Sequence, residues 1–137
     1  MKKTFTTHNS NETQRLGRLL AEELRGGGII CMTGELGTGK TTFTQGLLKG
    51  LKIKGPYTSP TFVIMKKYAD NIYHFDAYRV GVSDVLNLGW EEIVADKNNL
   101  VIIEWAERIG KIIPNDSLWI EFSWVGEEER KITFKSK

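Results

Sequence analysis

Cysteine is nearly absent from this chain: Cys31 is the single one among 137 residues, so no intrachain disulfide can staple the fold. It lies in the apolar run IICM, where a small buried side chain in a strand is the plain reading, and redox chemistry is not expected. Long apolar runs are also lacking. The longest, residues 29–32 and 100–103, are far too short to span a bilayer. The opening MKKTFTTHNSNE carries two lysines with no apolar stretch behind them, so it does not read as a secretory signal, and a cytoplasmic address is expected. Charge of one sign is missing as well. The formal net charge is +2, and the basic residues fall in short pairs such as Lys2-Lys3 and Lys66-Lys67. That pattern excludes strong independent nucleic-acid binding while leaving open contact with RNA inside a complex. Internal repeats, low-complexity tracts and linkers are not found, so residues 1–137 read as one domain, large enough to bury a core.

What is present is an ordinary globular composition, 40% hydrophobic and 26% charged, arranged in clear periods. Asn9 or Ser10 can cap a helix over about 10–24, with Glu12 three residues after Asn9 and with Leu16, Leu19, Leu20 and Leu24 on one face. The triple glycine 26–28 stops it, and residues 28–33 read as a buried strand. A second helix is predicted over about 41–51, where Phe43, Leu47 and Leu51 recur at helical spacing. Pro56 and Pro60 frame GPYTSPTF, a loop that cannot be helical because each proline pushes its predecessor toward extended backbone. Strands are predicted over 62–69 and 72–78, joined by a turn at Asp70-Asn71. Ser83 can cap a helix over about 84–95, which Gly89 weakens. Residues 100–104 form a short apolar strand closed by an acid, and 118–124 with 130–135 alternate as a C-terminal hairpin around Gly126. The acidic triplet 127–129 fits its solvated turn.

Residues 34–41, GELGTGKT, satisfy G-x-x-x-x-G-K-[ST] between a predicted strand and a predicted helix, the context that motif needs. Glycines let the backbone turn its N–H groups onto phosphate oxygens, and the helix N-terminus adds partial positive charge. Lys40 can bridge the outer phosphates, and the Thr41 hydroxyl can ligate Mg²⁺. Because Mg²⁺ takes one or two protein oxygens besides phosphates and waters, strand-end acids become informative. Two stand out: Asp76 closing IYHFD and Glu104 closing LVIIE. In a parallel α/β sheet both emerge at the carboxyl edge, beside the phosphate loop. Either could reach the metal or its water; a helix cap or an ion pair with Arg79 or Arg108 is the structural alternative. Thr61, in SPTF, offers a hydroxyl that could fold over the γ-phosphate. His8 and His74 lack metal-ligand spacing and read as packing or surface residues. Trp105 could be core or could stack on a base or partner, whereas Trp90, Trp119 and Trp124 read as packed in the core or against the sheet.

Three functional classes compete on these residues. A GTPase would need N-K-x-D and D-x-x-G, and neither occurs. A small-molecule kinase would need lid and acceptor-binding segments for which little length remains. A nucleotide-gated binding module would use ATP only to order the SPTF loop for a partner. The third class needs no hydrolysis.

Together, GELGTGKTT, SPTF, HFDAYR (74–79) and EWAER (104–108) resemble the TsaE family of small bacterial ATPases, in order and spacing over about residues 5–135. The resemblance implies an α/β phosphate-loop NTPase fold of three layers, with a mixed central β-sheet and antiparallel hairpins at its edges. It also implies Mg-dependent ATP binding and hydrolysis in service of threonylcarbamoyladenosine formation, at the adenosine beside the anticodon of tRNAs reading codons that begin with A. The implied partners are a TsaD-like transferase subunit and its TsaB-like companion, with tRNA reached only through the complex and the isolated chain monomeric. By position, Leu36, Gly37, Thr38, Gly39, Lys40, Thr41 and Thr42 would hold the phosphates. Thr41 and Glu104 would ligate Mg²⁺, Asp76 would support the metal or position the attacking water, and Thr61 would be the switch-loop contact. Ser10 and residues 126–130, ending at Arg130, would lie near the adenine. Ala77, where the family often has leucine, and the absence of a glutamate pair before Leu88-Gly89 depart from its pattern on the partner-facing side. Arg79 and Arg108 follow the two acids and could serve as an arginine finger; without one, hydrolysis is expected to be slow in isolation and faster in the complex.

Overall fold

The computed structural model describes residues 2–35, 37–55 and 64–136. Strands β1 (Lys2–Thr7), β2 (Gly28–Thr33), β3 (Met65–Ala69), β4 (Ile72–Asp76), β5 (Leu100–Glu104), β6 (Leu118–Trp124) and β7 (Arg130–Lys135) form one sheet in the order β1-β7-β6-β2-β5-β4-β3. The centre is parallel, β6 with β2, β2 with β5 and β5 with β4. Both flanks are antiparallel, β1 with β7 with β6 on one side and β3 with β4 on the other. This is the mixed α/β sheet with antiparallel hairpins that the sequence pattern predicts.

Burial explains the order. All five residues of β5 are buried, as a central strand covered on both faces requires. Alternate residues of the central strands feed two cores. Ile30, Met32, Leu100 and Ile102 pack under helices α1 (Ser10–Glu23) and α2 (Lys40–Gly50). Cys31, Val101 and Ile103 pack on the opposite face with Trp90 and Ile109. Trp90 begins the short helix α4 (Trp90–Ala95), and Ile109 belongs to a 3₁₀ segment, Ala106–Ile112. Cys31 is fully buried, and desolvation pushes its thiol up to about 12, consistent with an inert core residue. Among the described residues no helix is long and apolar enough to cross a membrane.

Several elements differ from their predicted form. β1 is unforeseen because KKTFTT lies on a sheet edge where only Thr7 is buried, leaving no apolar alternation to read. The helix expected over 84–95 is two: α3 (Val82–Leu86) and α4, separated where Gly89 takes φ 85. Gly81, not Ser83, occupies the N-cap of α3, and its N–H donates to Asp84 Oδ2 at 3.0 Å. β4 stops at Asp76 rather than residue 78, and the predicted strand start at 62 lies outside the described residues. Of the two cap candidates for α1, Asn9 serves, its Oδ1 accepting from Glu12 N at 2.9 Å. Leu19 is 64% exposed, so the buried face of α1 is narrower than the leucine pattern suggests.

Candidate active site

The site begins with strand lengths. In register, Met32 of β2 lies beside Glu104 of β5, and Glu104 lies beside Asp76 of β4, so three parallel strands end together at one carboxyl edge. Immediately beyond β2 the chain turns through Gly34, Gly37 and Gly39, at φ 137, 78 and 104, and enters α2 at Lys40. These are left-handed conformations that glycine adopts without cost. At Gly34 a side chain is also sterically excluded, because a Cβ would stand 2.5 Å from the Phe122 carbonyl oxygen of β6. The result is a backbone loop at the start of an eleven-residue helix, an arrangement suited to an anion.

A cleft of ≈ 660 Å³ opens at this edge, and Ser10, Gly37, Gly39, Lys40, Thr41, Thr42, Asp76, Glu104 and Arg130 all line it. Residues separated by up to most of the chain length thus meet at one edge of the sheet. Thr38 does not line it: its buried hydroxyl donates to the Glu35 carbonyl at 2.6 Å, so the side chain shapes the loop from within. Leu36 and Thr61 lie outside the described residues.

Lys40 is 5% exposed, donates to the Gly34 carbonyl, and holds its ammonium 3.7 Å from the centroid of the Trp105 ring. Desolvation lowers its pKa, opposed by the charges of Glu104, Glu107 and Asp76. Asp76 is shifted the other way: burial raises its pKa, the Tyr78 N–H bonded to Oδ1 at 2.9 Å works against that, and the nearby Glu104 adds to it. Glu104 is 4% exposed and bonded through Oε2 to His74 Nε2 at 2.7 Å. Among the described residues neither acid caps a helix or forms an ion pair with an arginine. Glu104 and Thr41 suit a hard divalent cation that keeps waters and takes its other ligands from phosphate. Among the described residues there is no group of three or more His, Cys, Asp or Glu side chains placed to hold a metal by protein alone.

Tyr78 escapes the sequence reading, and other residues take places that reading left open or put elsewhere. Trp105 turns out of β5 at φ 58 and meets Tyr78, ring centroids 4.8 Å apart, on the wall of the cleft. Arg79 also lines the cleft, whereas Arg108 lies against the Tyr78 ring, 5.3 Å from its centroid. His74 is buried beside Glu104 rather than at the surface; the signal was its two-residue offset from Asp76, which puts both on one face of β4. Trp124 is not core: it is 59% exposed and donates from Nε1 to the Gly37 carbonyl at 2.9 Å. Arg130 Nη1 donates to the carbonyls of Gly126, Glu127 and Glu129, knitting the turn that overhangs the cleft.

Sheet order and glycine loop define a phosphate-loop protein of the α/β class. Residues 7–132 match the family model of the threonylcarbamoyl adenosine biosynthesis protein TsaE. A tRNA threonylcarbamoyladenosine biosynthesis protein TsaE of Bacillus subtilis is 37% identical over 133 residues, covering 95% of this chain and 83% of that protein. One of Treponema pallidum is 32% identical over 130 residues, covering 93% and 96%. The crystal structure of Bacillus subtilis YdiB superimposes with a TM-score of 0.84 at 32% identity, covering 99% of this chain and 86% of that one. The chain belongs to the TsaE family.

Proposed function

We propose that this chain is a single-domain, Mg-dependent ATPase that serves threonylcarbamoyladenosine modification of tRNA. In this reading it acts with a TsaB-TsaD-like transferase pair, on tRNAs reading codons that begin with A, and makes no modification itself. The family's role in tRNA threonylcarbamoyladenosine biosynthesis supports the pathway. The observation that carries the ATPase is the meeting, at one strand edge, of the glycine loop, Lys40, Thr41 and the register partners Asp76 and Glu104.

Phosphoryl transfer to water asks a protein for positioning and charge neutralisation rather than covalent chemistry. The loop glycines and the start of α2 hold the phosphate chain, and Lys40 leaves the Trp105 ring to meet the outer phosphates. Thr41 and Glu104 would hold Mg²⁺, which would supply positive charge against the phosphates. Asp76, on the adjacent strand, would support the metal or position the attacking water. By the family resemblance Thr61 would be the switch-loop contact, and Ser10 and Arg130 flank the adenine. Arg79 lines the same cleft and is the candidate arginine finger once a partner aligns it; until then hydrolysis is slow.

The test is phosphate release from ATP by the purified chain, alone and with the TsaB-TsaD pair, with Glu104→Ala as control. Stimulation by the pair, lost in the variant, is the expected result. Robust hydrolysis indifferent to the pair, or an unimpaired variant, overturns the proposal.

A further inference from the structure

The cleft carboxylate Glu104 does not stand alone. Its Oε2 lies 2.7 Å from His74 Nε2, with the Glu104 and His74 side chains 5% and 2% exposed. On the far side of the imidazole, Nδ1 lies 3.4 Å from the Tyr68 hydroxyl, and the two rings stack at 27° with centroids 5.9 Å apart. The three residues come from three adjacent strands, β3, β4 and β5. A carboxylate only accepts hydrogen bonds, so Nε2 carries the hydrogen directed at Glu104, and Nδ1 is left facing the Tyr68 hydroxyl. A glutamate has three side-chain torsions to settle, and a single short bond inside a buried layer removes most of that freedom.

We infer that His74, backed by Tyr68, is a positioning residue: it holds Glu104 in the rotamer that presents a carboxylate oxygen to a divalent cation at the phosphate loop. The inference rests on the metal-ligand reading of Glu104. The imidazole touches neither nucleotide nor metal and acts through the carboxylate. Partners of this kind set the orientation of a metal ligand, and their loss typically weakens metal affinity or activity about 10- to 100-fold.

His74→Gln and His74→Asn separate positioning from packing. Glutamine can place its amide nitrogen near the position of Nε2 and still reach Glu104; asparagine places it near Nδ1 and falls short. Both are polar and smaller than histidine; asparagine, one methylene shorter, loses more packing, which the thermal midpoint and the chelator-insensitive ADP binding read separately from the metal. The readouts are the affinity for ADP in excess chelator, the Mg²⁺ concentration that restores half of the metal-dependent gain in that affinity, and the thermal midpoint.

His74→Gln is expected to stay within about threefold of the parent in its Mg²⁺ requirement, while His74→Asn needs about tenfold more; chelator-insensitive ADP binding stays equal in both. In a Glu104→Gln background the difference between the two variants vanishes. Equal Mg²⁺ requirements for the two, or loss of a cooperative melt in both, overturn the inference and make His74 a packing residue. If Glu104→Gln alone leaves the Mg²⁺ requirement unchanged, it is the metal-ligand reading of Glu104 that fails.

Discussion

The Lys40 ammonium rests 3.7 Å from the centroid of the Trp105 ring while it donates to the Gly34 carbonyl, so an aromatic face and a loop carbonyl contact the cation intended for phosphate. Trp105 is held for this contact at φ 58, a conformation that costs a non-glycine residue about 1–3 kcal/mol. Phosphate must compete for the same donors. Saturating ADP is therefore expected to change Trp105 emission, and Trp105→Phe to remove that change although three other tryptophans remain. Lys40→Ala should weaken ADP about 10- to 100-fold by calorimetry, the value of hydrogen bonds to a charged group. Unchanged affinity would place the phosphates elsewhere.

Asp76 gives the site a pH signature whose sign follows from burial. Its folded pKa is raised above the ordinary 3.8, chiefly by desolvation. A raised carboxyl binds its proton more tightly in the folded state, so its contribution to stability is complete below the unfolded value and is lost as pH rises through the folded one. Above its folded value the ionised Asp76 is a burden that the site carries for its chemistry. Asp76→Asn, whose amide oxygen can still accept from Tyr78 N, is expected to raise the thermal midpoint at pH 7 while lowering phosphate release. The gain should fade below about pH 4, where both carboxyls are neutral. A midpoint at pH 7 below that of the parent would mean that neighbouring charge outweighs desolvation.

The phosphate loop also depends on how closely two helices approach. A Cβ at Gly17 of α1 would lie 2.3 Å from the Phe43 carbonyl oxygen, and one at Gly46 of α2 would lie 2.1 Å from that of Gln14. Both obstacles are backbone, so relief requires the helices to separate. Gly46→Ala is expected to cost about 1–3 kcal/mol or more in urea unfolding, the range for overpacking a close contact. It should also weaken nucleotide binding, because α2 begins at Lys40. A loss below about 0.5 kcal/mol would show the pair to be compliant.

How much of this was legible varies with the range of the interaction. The strand, glycine loop and helix at 28–50 could be read because the motif is local and each glycine has a backbone reason to be there. Asp76 and Glu104 could be read as acids ending apolar runs, but their adjacency comes from β4–β5 pairing across 28 residues, which no local pattern encodes. The bond from His74, read as a packing or surface residue, to Glu104 escaped for the same reason: that partner is 30 residues away. Trp124 looked like core because large apolar side chains usually are, yet its Nε1 reaches Gly37, 87 residues earlier. The edge strand β1 was invisible because an exposed edge needs no apolar alternation. Gly89 was correctly suspected, but φ 85 breaks the helix outright rather than weakening it.

That Trp124 contact suggests the C-terminal hairpin is a support for the phosphate loop. Trp124 Nε1 donates to the Gly37 carbonyl at 2.9 Å, and its ring carbon Cζ2 would lie 3.4 Å from a Cβ at Gly37, so ring and loop are in van der Waals contact as well. Arg130 braces the turn behind it through three carbonyls. Trp124→Phe removes the N–H and keeps most of the ring. A bond of this kind contributes about 0.5–1.5 kcal/mol, so ADP affinity is expected to fall about two- to tenfold, with little change in thermal midpoint because Trp124 is 59% exposed. Trp124→Ala, which also removes the ring, should fall further. Equal affinity in parent and both variants, measured at one Mg²⁺ concentration, would mean that the loop keeps its shape without the hairpin. The glycine conformations and the Thr38 bond to Glu35 would then suffice to hold it.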